Sequence, residues 1–282
     1  MRRAALGVAV AALAATGLAT AASAQPELVI REAVARVVVL PEDRADIVVE
    51  ITQPASSLPR ITQERRGDRL VLDGGIGRNI NCRGGRGRPV EVSGRFGRVT
   101  LDQAPRIVVR APRNVRLNVG PAVFGDIGRS NSVELGVNGC GDWTIANTAQ
   151  ALEVRTAGSG DVRAGSAGSA RMNIAGSGSV HSQALAGPLT AEIAGSGDVR
   201  ALSIDGPLRV RIAGSGDVRV EGGRSQELSA QIAGSGDVRF GGRAEQVDAM
   251  IAGSGDVRVR EAGSVSRRVM GSGDVVVGRM DD

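Results

Sequence analysis

The chain has 282 residues, of which 41 are glycine. Its formal net charge is +5, and all of its lysine-or-arginine residues are arginine. So many glycines weaken a helical fold, and no apolar pattern of helical period appears after residue 24. One tryptophan, three phenylalanines, one histidine and no tyrosine or lysine argue against a polysaccharide-cleaving site, which needs a tuned base and aromatic platforms. We therefore expect a non-enzymatic, all-β protein.

Residues 1–24 have the pattern of a secretory signal peptide. Met1-Arg2-Arg3 is followed by an alanine-rich apolar run and by Ala22-Ser23-Ala24, a small-residue cleavage site. No later segment approaches 18 apolar residues, so no transmembrane segment is expected after cleavage. The pattern predicts an exported protein of the periplasm, the outer surface or the extracellular medium.

Residues 25–105 are predicted to form an N-terminal β region with an Arg/Gly-rich loop. Strand-like runs at 34–40, 47–51 and 70–72 are broken by proline-containing segments. Between residues 60 and 116, 14 arginines face five acids, a net of +9. Arg/Gly tracts such as 78–98 are typical of nucleic-acid binding, but export excludes an intracellular nucleic acid. An anionic surface partner and a solvated loop remain, and we favour the loop.

Cys82 and Cys140 are the only cysteines in a chain expected to meet an oxidising compartment. An even pair there favours a disulfide over a metal site or two free thiols. The bridge would enclose 57 residues, worth about 4 kcal/mol in the chain-entropy model.

Residues 106–282 are predicted to form a β-solenoid, because they contain a repeat of nearly constant length. Ala-Gly-Ser-Gly-Asp-Val occurs at 157–162, 194–199, 213–218, 233–238 and 252–257, with near-copies at 175–180 and 270–275 and a degenerate copy at 138–143. The central residues of the copies follow one another every 18 to 20 positions. A period near 19 is typical of a solenoid with one coil per repeat.

Each repeat also shows the alternation of a half-buried strand. Leu208, Val210 and Ile212 precede the corner serine Ser215, with arginines between them. The pattern predicts a strand, a tight glycine corner, a shorter strand and a loop, and hence a parallel β-helix with coils stacked about 4.8 Å apart. The valines after the corner should form one buried stack, and Trp143, which takes the place of a valine, should lie in the core. The stack comprises Val199, Val218, Val238 and Val257.

A ladder of aspartates follows the corners, and it has two interpretations. Stacked carboxylates suit Ca²⁺, but most of them precede an arginine by two residues and therefore share its strand face. The one internal coil without this aspartate has Ser179, and there His181 replaces the arginine. We expect a structural charge ladder that binds no metal and no cofactor. Its pairs are Asp161 and Arg163, Asp198 and Arg200, Asp217 and Arg219, Asp237 and Arg239, and Asp256 and Arg258. The aspartate ladder comprises these aspartates with Asp142 and Asp274.

The repeated Ile-Ala-Gly-Ser-Gly-Asp-Val of an exported chain resembles the head GIN domain family of auto-transporter adhesins. The resemblance covers about residues 28–280. It implies a right-handed, single-stranded parallel β-helix in a periplasmic or cell-surface setting, and it supplies no catalytic residues. The expected function is adhesion or interaction with a surface glycan or protein partner. The alternative is a carbohydrate-binding or carbohydrate-active β-helix protein of the periplasm.

Overall fold

The computed structural model describes residues 25–77, 79–85 and 88–278, so the expected signal peptide lies outside the described residues. No helix long and apolar enough to cross a membrane occurs in these ranges. Their regular elements are β1 (Glu27–Arg31), β2 (Val34–Glu42), β3 (Val48–Thr52), β4 (Thr62–Arg66), β5 (Arg69–Asp73), β6 (Asn81–Gly85), β7 (Arg88–Gly94), β8 (Gly97–Thr100), β9 (Arg106–Pro112), β10 (Asn114–Val119), β11 (Ala122–Ile127), β12 (Ser132–Gly139), β13 (Trp143–Ile145), β14 (Ala151–Gly158), β15 (Val162–Ala164), β16 (Ser169–Gly176), β17 (Val180–Leu185), β18 (Leu189–Gly195), β19 (Val199–Asp205), β20 (Leu208–Gly214), β21 (Val218–Gly234), β22 (Val238–Gly253), β23 (Val257–Gly271) and β24 (Val275–Val277).

The strands form two parallel rows that meet at the glycine corners. The first row holds the strands before each corner, in the order β5, β1, β10, β12, β14, β16, β18, β20 and then the later halves of β21, β22 and β23. The second row holds the strands after each corner, in the order β9, β2, β11, β13, β15, β17, β19, the earlier halves of β21, β22 and β23, and β24. The result is a parallel β-solenoid of about nine turns with a spacing of roughly 19 residues, which confirms the predicted fold class. Its right-handed course stays a prediction of the resemblance.

Equivalent side chains of successive coils lie in exact register and make one continuous core. Val199, Val218, Val238 and Val257 pair in turn, and all four are fully buried, which confirms the predicted valine stack. Each buried valine contributes about 1.5–3 kcal/mol through the removal of its side chain from water. Trp143 is buried too, as predicted, and its indole N–H donates to the carbonyl of Val123 at 2.9 Å.

The N-terminal end of the stack is not assembled in chain order. Strands β1 and β2 form a coil that lies between β5 and β9 on one side and β10 and β11 on the other. After β2 the chain therefore adds β5 and β9 on the side of this coil that faces the end of the stack. It then continues with β10 and β11 on the opposite side. The antiparallel strands β3 and β4 close this end of the stack. Residues 27–42 thus form a coil of the stack that precedes the repeats in sequence.

The Arg/Gly-rich stretch contributes to a small sheet instead of the expected solvated loop. Strands β6, β7 and β8 pair antiparallel, and we call this three-stranded sheet the flap. Val92 and Val99 of this flap are buried against Val34, Ala122 and Phe124 on the outside of the solenoid. The flap therefore has a hydrophobic contact of its own with the first coils.

Candidate binding groove and aspartate ladder

The glycine corners bring the backbones of neighbouring coils into direct contact. Gly195 has a φ of 135° and Gly214 a φ of 139°, a region that side-chain-bearing residues rarely adopt. A Cβ atom on Gly214 would also overlap the carbonyl oxygen of Gly195 in the preceding coil. The corner amides use this closeness, since Ser215 N–H donates to the Gly195 carbonyl at 2.9 Å. Only glycine allows the coils to stack this tightly at the corner.

The aspartate ladder is held mainly by backbone N–H groups along the stack. In each contact the Oδ1 atom of an aspartate accepts a hydrogen bond from the N–H at the same position of the next coil. Hydrogen bonds to a charged acceptor are worth about 1.5–3 kcal/mol each. The contacts join Asp161 N to Asp142 (2.9 Å), Ser179 N to Asp161 (3.0 Å), Asp217 N to Asp198 (3.1 Å), Asp237 N to Asp217 (2.8 Å), Asp256 N to Asp237 (2.9 Å) and Asp274 N to Asp256 (2.8 Å).

The arginines of the ladder make ion pairs of uneven quality. The nearest nitrogen and oxygen atoms are 4.0 Å apart for Asp161 and Arg163, 3.8 Å for Asp198 and Arg200, 3.0 Å for Asp237 and Arg239, and 2.7 Å for Asp256 and Arg258. Arg258 also reaches Asp237 at 3.3 Å, whereas Arg219 donates to Glu221 at 2.7 Å. These pairs are partly exposed, so each contributes about 1 kcal/mol or less. The spacing predicted the shared face, and each carboxylate was expected to lie near an arginine or a backbone N–H.

His181 interrupts the row of arginines and lies in register between Arg163 and Arg200. Burial and then the charges of Arg200 and Arg163 lower the pKa of His181 below its ordinary value. A neutral imidazole at this position avoids a third positive charge between its two cationic neighbours. In the described ranges, no three His, Cys, Asp or Glu side chains form a group able to hold a metal ion. Whether the ladder binds calcium stays a prediction.

Cys82 of β6 forms a disulfide with Cys140, which lies at the corner of the degenerate repeat 138–143. Their Cα atoms are 6.5 Å apart. This confirms the predicted bridge. It ties the flap to the outside of the solenoid, and a cavity of about 730 Å³ lies beside it. Asn81, Asn138 and Ser159 are among the polar residues of that cavity.

A groove of about 760 Å³ runs along the outside of the first row. Its floor consists of the exposed alanines that stand two residues before each corner serine. Its wall consists of the outward side chains two residues earlier in each strand. Asn138 and Ala157 belong to both the groove and the cavity at the disulfide, so the two spaces are continuous. We call this the alanine groove; its floor is Ala157, Ala175, Ala194, Ala213, Ala233 and Ala252, and its wall is Arg155, Asn173, Glu192, Arg211, Gln231 and Met250.

Comparison with known families identifies the kind of protein that carries this groove. The model of the family described as "Putative auto-transporter adhesin, head GIN domain" matches residues 38–223 and, in a second overlapping match, 192–279. The chain belongs to the head GIN domain family. A search of curated proteins finds no match. A crystal structure described as a "Putative lipid binding protein", from Parabacteroides distasonis ATCC 8503, is similar at 17% identity and a TM-score of 0.49, over 90% of this chain and 93% of that one.

Both arginines in the wall of the groove in this head GIN domain have carboxylate partners. Arg211 donates to Glu192 at 3.1 Å, and Arg155 donates to Glu134 at 2.7 Å. The hydrogen bond from Arg155 and the charge of Arg116 lower the pKa of Glu134 and keep it ionised. Paired, ionised groups can recognise a ligand, but they are not poised to move a proton.

The groove was not predicted from the sequence, because the strand pattern was used to identify the inward-facing residues and not the outward-facing alanines. The signal was present, since Ala213 stands on the outward-facing side of its strand, two residues after Arg211. A small residue beside a long one, repeated in every coil, leaves a continuous furrow on the surface.

Proposed function

We propose that this head GIN domain is an exported, non-enzymatic interaction module of the cell envelope that binds an extended surface glycan in the alanine groove. The family description as an adhesin supports a role in binding rather than a reaction. The disulfide between Cys82 and Cys140 supports export, because such bonds persist in oxidising compartments. The observation that carries the proposal is the groove itself.

The shape and chemistry of the groove suit a linear polymer. Neighbouring wall side chains are in register from coil to coil, so polar groups recur about every 4.8 Å along the groove. Asn173, Glu192, Arg211 and Gln231 together supply both hydrogen-bond donors and acceptors. The alanine floor offers a flat apolar strip for the less polar face of a sugar ring. A glycan also presents its hydroxyl groups at regular intervals, which matches a repeating wall.

Filling the groove tests the proposal. Ala213→Arg and Ala233→Arg each place a long cationic side chain on the exposed floor, whereas Leu202→Arg adds the same charge at an exposed position of β19, outside the groove. On a glycan array, we expect the wild-type domain and Leu202→Arg to bind the same glycans and both alanine variants to lose at least about tenfold in affinity, or 1.4 kcal/mol.

Equal binding by all three variants would move the site away from the groove. Binding to envelope proteins but to no glycan would make the partner a protein. Release of reducing or unsaturated ends from a bound glycan would instead favour the carbohydrate-active alternative. Thermal unfolding of each variant controls for a loss of fold.

A further inference from the structure

The last coil of the solenoid departs from the repeat at a core position. In each repeat, the residue five places before the central residue of the glycine corner faces inward. It is apolar in seven successive coils. In the next coil this position is Arg267, which pairs in register with Ala249. The apolar residues of this column are Leu135, Val154, Met172, Ala191, Val210, Ala230 and Ala249, and all are buried.

This arginine lies on the C-terminal end face of the stack, which we define by Val265, Arg267, Val269 and Val277. The later half of β23 pairs with β22 alone, so among the described strands its other edge has no neighbour. Val265, Val269 and Val277 occupy core columns, yet they are 43%, 37% and 42% exposed. The end face therefore combines a free strand edge with exposed core residues, and such an edge accepts further β-structure readily.

Arg267 makes the end face unsuitable for stacking. Its Nη1 atom lies 3.4 Å from Oδ1 of Asp274, and both side chains are more than three-fifths exposed, so water solvates the pair. A coil docked on this face would remove that water and place the guanidinium in an apolar column. Charges that point inward on an edge strand are a known protection against edge-to-edge pairing, because burying them is costly.

A second copy of this chain is the partner that the end face fits, and it would dock by the same face. The opposite end of the stack ends in the antiparallel strand β4, whose exposed residues include Glu64, Arg65 and Arg66. That strand presents polar side chains rather than a row of apolar columns. Two C-terminal end faces related by a twofold axis would bring the same patch of both copies together, as symmetric dimers require. Such a contact would also bring the two copies of Arg267 close together.

We propose that the C-terminal end face is a latent docking surface for a second copy of this chain and that Arg267 keeps the two copies apart. Arg267→Ala restores a residue that already occupies the column at Ala191, Ala230 and Ala249. The change should therefore preserve the fold and open the end face. Arg268→Ala is the matched control, because it removes the neighbouring arginine from the outward side of the same strand, in register with the exposed Met250.

Sedimentation velocity over a wide concentration series tests this with residues 25–282 and the disulfide intact. The wild-type chain and Arg268→Ala should stay monomeric. Arg267→Ala should dimerise with a dissociation constant at least about 100-fold lower than that of the wild type. Hydrogen exchange should show new protection of the amides of residues 265–271 in the dimer. Arg267→Val, which copies Val210, provides a second variant should the alanine variant unfold.

Three outcomes would overturn the proposal. Folded Arg267 variants could stay monomeric at every concentration, the control Arg268→Ala could dimerise as tightly as Arg267→Ala, or the new exchange protection could lie away from residues 265–271.

Discussion

Replacing Gly214 by alanine tests whether the glycine corners set the spacing of the coils. Gly214 closes β20, and its φ of 139° belongs to a region open essentially to glycine alone. Holding another residue there costs about 1–3 kcal/mol in backbone strain. The added Cβ would in addition overlap the Gly195 carbonyl oxygen, which is backbone and cannot rotate away.

The overlap can be relieved only if the two coils separate at the corner. That movement weakens the hydrogen bond from Ser215 N–H to the Gly195 carbonyl, now 2.9 Å long, and a lost backbone hydrogen bond costs about 1 kcal/mol. Strain, overlap and lost bonding together predict that Gly214→Ala lowers the free energy of unfolding by about 3 kcal/mol or more.

Gly222→Ala is the matched control because Gly222 lies on the next strand, β21, and a Cβ there meets nothing within 4 Å. Alanine at this position should leave stability unchanged or raise it by about 0.4–1 kcal/mol, since it restricts the unfolded chain. Urea unfolding followed by circular dichroism measures both variants. Hydrogen exchange near the corner is needed as well, because a solenoid can open locally. Equal effects of the two changes would refute the reasoning.

Three further predictions concern the core, the aspartate ladder and His181. Val218→Asp places an unpaired charge in a fully buried column, so urea unfolding should show a loss of several kcal/mol, and an unchanged stability would contradict the valine stack. Calcium should leave the melting temperature unchanged. A true site would raise the free energy of unfolding by about 2.7 kcal/mol at a calcium concentration of 100 times its Kd. A rise in melting temperature that a chelator reverses would make the ladder a metal site. The pKa of His181 is lowered in the folded chain, so the unfolded chain takes up a proton first as the pH falls through about 6.5. The contribution of His181 to the free energy of unfolding is therefore fully present above that pH and declines below it. His181→Gln should flatten this decline, and an identical pH profile for the variant would show that His181 does not cause it.

The repeating part of the fold could be predicted from the sequence because its contacts are set by local pattern. Alternation of apolar and polar residues before Ser215 determines which side chains face inward, and the nearly constant period brings equal positions into register. Trp143 could be assigned to the core for the same reason, since it occupies a valine position of the repeat. A stack of identical coils has few alternative arrangements, so the pattern alone was sufficient.

The order of the first coils could not be predicted in this way. Nothing in residues 27–31 indicates that they pair with both β5 and β10, because those pairings depend on contacts between segments far apart in sequence. The flap has the same origin, since the disulfide from Cys82 and a second hydrophobic contact place it on the solenoid. An aspartate and an arginine two residues apart share one strand face, which suggested their ion pairs. The hydrogen bonds that the aspartates accept from the backbone N–H of the next coil depend instead on the three-dimensional spacing at the corner.

The repeat explains the fold, and its exceptions show where the molecule has other requirements. Cys140 replaces a corner serine where the flap must be attached, and His181 replaces an arginine where the aspartate is absent as well. Arg267 replaces a core residue where stacking has to stop. Each exception differs from its column in a physical property: Cys140 forms a covalent bond, His181 has a titratable side chain, and Arg267 places a charge in a column that is otherwise apolar. In a chain of nearly identical coils, such positions are the ones whose substitution separates a specific role from the average contribution of a coil.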